Sequence, residues 1–261
     1  MTVNLALAAN PDKLNNGGPA VNAETLIAEA DAYYDGVDVN QDFAKALADY
    51  RKAAALGNGY AMNMVGVMYD DGQSVKADPV EAVDWFTKAA DTGYPTGWYN
   101  LGGHYRDGLG VKADPAKALA LYRQAADAGQ PLAMTQIGDF YYAGLAVDKD
   151  DAEAASWYQK AVDAGAAEAY WRLALRYVYG EGVGRDTHKA AQLGYQALLA
   201  GVPEARDNLD KARKTDLPPN FLKEVQQLLS EDGFYKGKVD GSYGPATVAA
   251  VDKAFNSKPP Q

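Results

Sequence analysis

The apolar positions between Tyr60 and Gly93 fall into two stripes of helical period. Ala61, Met64, Val65 and Met68 stand at i, i+3, i+4 and i+7, which predicts a first helix with one buried face. It ends near Tyr69, and Gly72 follows where a positive φ closes a helix. Ser74-Val75-Lys76-Ala77 reads as an extended link. Asp78 and Pro79 then read as the N-cap and first residue of a second helix, since Asp accepts from open amides and Pro has no N–H to lose. Glu81 completes a predicted capping box, repeated at Asp150 and Glu153. Ala82, Trp85, Phe86, Ala89 and Ala90 form the second stripe, which Gly93 ends.

This two-helix pattern recurs every 36 residues. Gly57, Gly93, Gly129, Gly165 and Gly201 form one ladder, and Gly36, Gly72, Gly108, Gly144 and Gly180 another. Tyr33, Tyr69, Tyr105, Tyr141 and Tyr177 keep the same step, as do Asp42, Asp78, Asp114, Asp150 and Asp186. A unit repeated five times makes an all-α solenoid of paired antiparallel helices, with ten to twelve helices and no β-sheet core. The predicted form is a right-handed superhelix over residues 23–201. Small residues at Gly66, Gly102 and Gly138 let the first helix approach its partner, and Tyr50, Phe86, Tyr122 and Tyr158 fill the space between neighbouring units.

After Gly201 the period is lost. Residues 202–220 read as one degenerate helix and a Pro-containing linker, and residues 221–261 as a helix-loop-helix extension. Gly241 suits a tight turn and Pro245 starts the last helix, whose open amides suit a carboxylate. Leu222, Val225, Leu228, Leu229, Phe234, Tyr235, Val248, Val251 and Phe255 supply an apolar surface, predicted to pack near Leu193 to Leu209. At the other end, residues 1–22 show no periodicity and read as a leader, with Ala6-Leu7-Ala8 resembling a signal-peptidase site.

Composition narrows the function classes. Hydrophobic content of 48% and aromatic content of 11% argue against a disordered chain. There is no cysteine, which excludes disulfides and thiolate metal sites. The net charge is −10, and Val202 onward holds nine acids and nine bases, so the excess belongs to the repeats. An acidic array repels phosphate backbones, which argues against nucleic acid and anionic membranes. No apolar run approaches a membrane span. His104 and His188 lie in different repeats without a second ligand at helical spacing, so no metal or cofactor is expected. Gly180-Glu181-Gly182-Val183-Gly184 follows a helix rather than a strand and reads as a turn, not a nucleotide loop. No nucleophile elbow, Walker motif or His-Glu-x-x-His pattern occurs, and no catalytic residues are assigned.

The order small-x-x-x-apolar-Gly-x-x-Tyr-x-x-Gly, then a link, Asp, Ala, an aromatic pair, Lys-Ala-Ala and Gly, resembles the Sel1-like repeat family. It is clearest from Leu101-Gly102 through Gly110-Val111, Asp114, Lys117-Ala118 and Ala125-Ala126 to Gly129. The resemblance implies a solenoid related to tetratricopeptide arrays, serving as an adaptor or ligand-binding scaffold, often in bacterial envelope, signalling or host-interaction proteins. Members that staple their repeats with disulfides differ from this chain. By analogy with tetratricopeptide grooves, the concave face takes Asp31, Tyr34, Asn63, Asp70, Tyr99, Arg106, Asp139, Tyr142, Glu168 and Trp171. Aromatics among acids there suit a protein or peptide partner of basic character.

The run Gly233-Phe234-Tyr235-x-Gly237 with the loop Asp240-Gly241-Ser242-Tyr243-Gly244-Pro245-Ala246-Thr247 resembles the peptidoglycan-binding module of cell-wall hydrolases. That family continues past the last helix, so about half of the module is expected here. It implies a wall-binding loop at Asp240, Gly241, Ser242, Tyr243, Gly244, Pro245 and Thr247. The favoured expectation is a non-catalytic adaptor in a bacterial periplasm or secreted from the cell, with a cytoplasmic location as the other choice. Its alternatives are a peptidoglycan-associated protein anchored by its C-terminal segment and, remotely, a carboxylate-dependent hydrolase.

Overall fold

The computed structural model describes residues 22–210 and 217–257. The expected leader lies outside these residues except for Asn22, as does the stretch following Asp210 in the degenerate helix. The described residues form thirteen helices and no strand, an all-α solenoid. One compact unit ends at Tyr94 and holds α1 (Ala23–Asp35), α2 (Phe43–Ala55), α3 (Gly59–Asp71) and α4 (Pro79–Asp91). The other begins at Pro95 and holds α5 (Pro95–Asp107), α6 (Pro115–Asp127), α7 (Pro131–Ala143), α8 (Asp151–Asp163), α9 (Ala167–Tyr179) and α10 (Thr187–Leu199). It continues with α11 (Pro203–Asp210), α12 (Pro219–Glu231) and α13 (Pro245–Phe255). Odd-numbered helices from α1 to α9 are the first of each pair, and each packs chiefly on the helix that follows it.

The recurring residues explain the helix ends. Asp42, Asp78, Asp114, Asp150 and Asp186 each accept backbone N–H bonds in the first turn of a second helix. Their own N–H groups donate to the carbonyls of Tyr33, Tyr69, Tyr105, Tyr141 and Tyr177 at 2.7–3.1 Å. Each aspartate therefore caps the second helix while tying the link back to the first. This corrects the capping-box expectation. The Glu81 and Glu153 carboxylates accept from the indoles of Trp85 and Trp157 at 2.9 Å, because the amide they would have reached already has a partner. The first-helix glycines adopt φ near +70°, as at Gly72 and Gly180, so a left-handed residue ends each first helix.

The ring column packs inside each pair, which sharpens the expectation that it lies between units. A Cβ on Gly66 would stand 2.6 Å from the Phe86 ring; at Gly138 the same distance separates it from Tyr158. Tyr122 also meets Phe140 of the next first helix edge-on at 5.7 Å between ring centres. In the fifth pair the ring position holds Gly194. Trp171 and Phe221 fill its space, at 3.2 and 3.3 Å from where a Cβ would lie.

Phe221 belongs to the C-terminal segment, which docks on the end of the array as expected. Phe221, Leu222, Val225, Leu229, Tyr235, Tyr243 and Val251 share one core with Leu193, Leu198 and Leu209. A polar seam runs beside it: Asn220 to Thr187 at 3.2 Å, Arg206 to Asp252 at 2.8 Å and Tyr243 to Asp210 at 2.9 Å.

Two outcomes follow. Asp114→Ala should lose about 1 kcal/mol, the usual worth of an N-cap, measured by denaturant unfolding with helical content otherwise kept. Phe221→Ala should cost about 3–5 kcal/mol, with faster hydrogen exchange confined to α9 through α13. Faster exchange spread evenly over α1 to α4 as well would contradict nearest-neighbour stability.

Candidate partner-binding face

In the second unit, successive first helices carry a polar ribbon. Arg172 of α9 stands between two carboxylates: its Nε lies 3.0 Å from Asp139 of α7, and its NH1 2.6 and 2.7 Å from the two Glu204 oxygens of α11. Asp139 is also held from beneath by the Tyr158 hydroxyl at 2.7 Å. Burial alone would lower the Arg172 pKa, but Asp139 and Glu204 outweigh it and the group is held above its ordinary value. On α5, Arg106 clasps Asp107 at 2.7 and 2.8 Å and reaches Gln136 of α7. Burial raises the Tyr99 phenol, Arg106 pulls it down, and Glu168 and Asp139 push it up, so all four groups share one field.

The structure thus brings Tyr99, Arg106, Asp139 and Glu168 together, and adds Arg172, Gln136 and Glu204, which the sequence reading passed over. Gln136 and Arg172 occupy the same column one repeat apart. A search for non-recurring polar residues along that column would have found both. Trp171 is a correction: it is fully buried, because Gly194 leaves a ring-sized gap that the indole fills. Asn63 is a second correction, since it is only 4% exposed and belongs to the interior of the first unit. Tyr142 is exposed and carries Arg176 over its ring at 3.8 Å.

The first unit places Asp31, Tyr34 and Asp70 at half-buried positions on α1 and α3. Asp31 accepts from the hydroxyls of Tyr50 at 2.6 Å and Tyr60 at 2.9 Å. Tyr34, Tyr50, Tyr60 and Tyr94 follow one another edge-on, with centres 6.2–6.3 Å apart. Burial, with the Asp31 carboxylate, pushes the Tyr60 phenol up to about 12, so it stays a neutral donor.

The C-terminal loop is organised by a residue the motif reading missed. Gln226 is fully buried; its amide NH2 donates to the Ser242 carbonyl at 2.8 Å and Thr247 Oγ1 at 3.0 Å, and its oxygen accepts from the Asp240 and Gly241 amides at 3.0 and 2.7 Å. Gly241 has φ +78°, and a Cβ there would strike the Pro219 carbonyl at 2.4 Å. Gly241, Tyr243 and Thr247 are therefore buried, a correction to their placement at a binding surface. The loop's outward groups are Asp240, Ser242, Pro245 and Ala246, with Gly244 at the N-cap of α13. The Asp240 carboxylate lies below its ordinary pKa, chiefly because it accepts the Ser242 N–H.

Neither histidine sits in a ligand cluster. His104 is buried with Nδ1 2.9 Å from the Leu109 carbonyl, and His188 is exposed beside Glu224 at 3.1 Å. Among the described residues no three His, Cys, Asp or Glu side chains gather at metal-binding distance, and no helix is long and apolar enough to cross a membrane.

Comparison with known proteins adds relatives. The Sel1 repeat model matches residues 22–58, 59–94, 99–130, 131–165 and 167–202, and the model described as "Putative peptidoglycan binding domain" matches residues 219–254. No curated protein matches significantly. A Sel1 repeat protein from Oxalobacter formigenes is 28% identical with TM-score 0.70, covering 95% of this chain and 90% of that one. A protective antigen of uropathogenic Escherichia coli with an SLR fold is also 28% identical, TM-score 0.65, covering 90% of this chain; the chain spans 53% of that protein's length. An immunity protein from Pseudomonas aeruginosa, 20% identical with TM-score 0.55 over 93% of this chain and 87% of its own, shares the fold. With recurring Gly, Tyr and Asp residues accounted for by the pair geometry and the family match spanning about two thirds of its length, the chain belongs to the Sel1 repeat family.

Proposed function

We propose that this protein is a non-catalytic scaffold that binds a protein or peptide partner of basic character on its first-helix faces, in a bacterial periplasm or outside the cell. The observation that carries this reading is the ribbon from Tyr99 to Glu204. Arg106, Asp139, Arg172 and Glu204 are held by pairing along three successive first helices and α11, so a partner meets preset donors and acceptors rather than mobile side chains. The acidic excess of the chain supports a basic partner, which it would steer. Asp139 and Glu204 are engaged by Arg172, an arrangement suited to recognition rather than proton transfer. A second reading, a peptidoglycan-associated protein, is favoured by the match over residues 219–254. In that reading Asp240, Ser242, Pro245 and Ala246 are the outward groups of the loop.

Panning a random-peptide library on the immobilised full chain should enrich Lys- and Arg-containing sequences, with binding weakened by added salt. Tyr99→Ala with Glu168→Ala should weaken the selected peptides about tenfold or more while the circular dichroism stays unchanged. Enrichment of acidic or uncharged peptides, indifferent to this pair, would refute the basic-partner reading. Co-sedimentation with purified sacculi, lost on Asp240→Ala with Ser242→Ala, would transfer support to the second reading.

A further inference from the structure

Two of the repeats carry the same three-residue constellation, and only one has its cations. Asp139, Tyr142 and Tyr158 stand 108 residues after Asp31, Tyr34 and Tyr50. In both places the buried tyrosine of the second helix donates to the aspartate, at 2.7 Å in the later copy and 2.6 Å in the earlier. In the later copy α9 supplies Arg172, 3.0 Å from Asp139, and Arg176, 3.8 Å from the Tyr142 ring centre; Lys149 lies 5.4 Å from the same ring. The residues 108 positions earlier are Met64, Met68 and Gln41. The first unit therefore keeps the carboxylate and the rings and omits all three cations.

What remains is a carboxylate with fixed geometry. Tyr50 and Tyr60 hold the half-buried Asp31 carboxylate by two hydrogen bonds, with the half-buried Tyr34 ring in the same constellation. The helices α1 and α3 carry Glu24, Glu29, Asp31, Asp35, Asp70 and Asp71 and no Lys or Arg. The cations of α2 and α4 are engaged elsewhere: Lys45 on Asp42, Arg51 on Tyr69, Lys52 on Asp49 and Lys88 over Trp85. We propose that Asp31, with Tyr34 and Tyr60, takes an arginine side chain of a partner protein, in the role Arg172 plays from within the later copy. The proposal rests on the first-helix face being the partner surface and names the chemistry presented to it. Arginine fits better than lysine because its planar fork can bond a carboxylate edge and lie against a ring together.

The probe is an alanine-based helical peptide of about fifteen residues bearing two arginines four apart, with a citrulline twin, titrated into the full chain by fluorescence anisotropy. The wild type should bind the arginine peptide at least about tenfold more tightly than the twin, as a charge-assisted contact requires. Asp31→Asn should abolish that preference. Met64→Arg, which supplies the missing internal guanidinium at a half-buried position, should abolish it too and raise the melting temperature; it decides the matter if Asp31→Asn fails to fold. Wild-type preference persisting in Met64→Arg, or no preference in the wild type, overturns the proposal. If library-selected peptides still bind such a chain, the scaffold reading stands and only this site is lost.

Discussion

The structure depends on how closely the two helices of a pair approach. A small residue recurs on the first helix (Ala30, Gly66, Gly102, Gly138 and Ala174), and at Gly66, Gly102 and Gly138 a ring of the second helix presses into the notch. A Cβ at Gly66 or Gly138 would fall well inside the ring's contact distance, so the notch sets both separation and register. Once the register is set, the tyrosine carbonyl at the end of the first helix meets the aspartate amide at the start of the second. That bond ties the link, and the same aspartate's carboxylate caps the helix it opens. One steric condition therefore propagates into the ladders that repeat along the chain.

The fold was legible because packing and capping recur, and recurrence is what a single sequence displays without relatives. Helix order, left-handed glycines and aspartate caps all follow from columns of identical residues. Individual side chains without a recurring column are less legible. Glu81 and Glu153 have capping-box spacing, but their carboxylates meet tryptophan indoles on their own helices. Trp171 reads as surface because its column (Ile27, Asn63, Tyr99, Thr135, Trp171) does not recur in chemistry. The indole turned inward because a ring was missing elsewhere in the same repeat. Tyr243 and Thr247 matched a loop signature, yet one serves docking and the other holds Gln226. A motif records which residues build a loop without telling which of them face outward.

A finer order runs beneath the 36-residue step. The position three residues after the aspartate cap reads Lys45, Glu81, Lys117, Glu153, Lys189. Where it is lysine, the ammonium lies over the ring of Tyr33, Tyr105 or Tyr177 of its own pair, at 4.1–4.8 Å. Where it is glutamate, it takes a tryptophan indole, and the tyrosine hydroxyl is met by Arg51 or Arg123 from the preceding pair. Each tyrosine of the column thus finds a cation, from within its own pair or from the one before. The array alternates two kinds of pair with a period of 72 residues.

The fifth pair breaks this order in a way that accounts for the C-terminal segment. Its small residue, Ala174, is retained, but the ring position holds Gly194, so the second helix brings no ring of its own. Trp171 enters from the first helix and Phe221 from α12, and their rings meet edge-on at 6.3 Å. The segment is held from outside and from within: Tyr243 bonds Asp210 and Asp252 bonds Arg206 of α11, while its own Gln226 fastens the loop. A short helix-loop-helix with few buried residues has little stability alone. A solenoid end whose last helix lacks that ring has an apolar face to cover. Each deficit is met by the other, so the segment and the last repeat share one core.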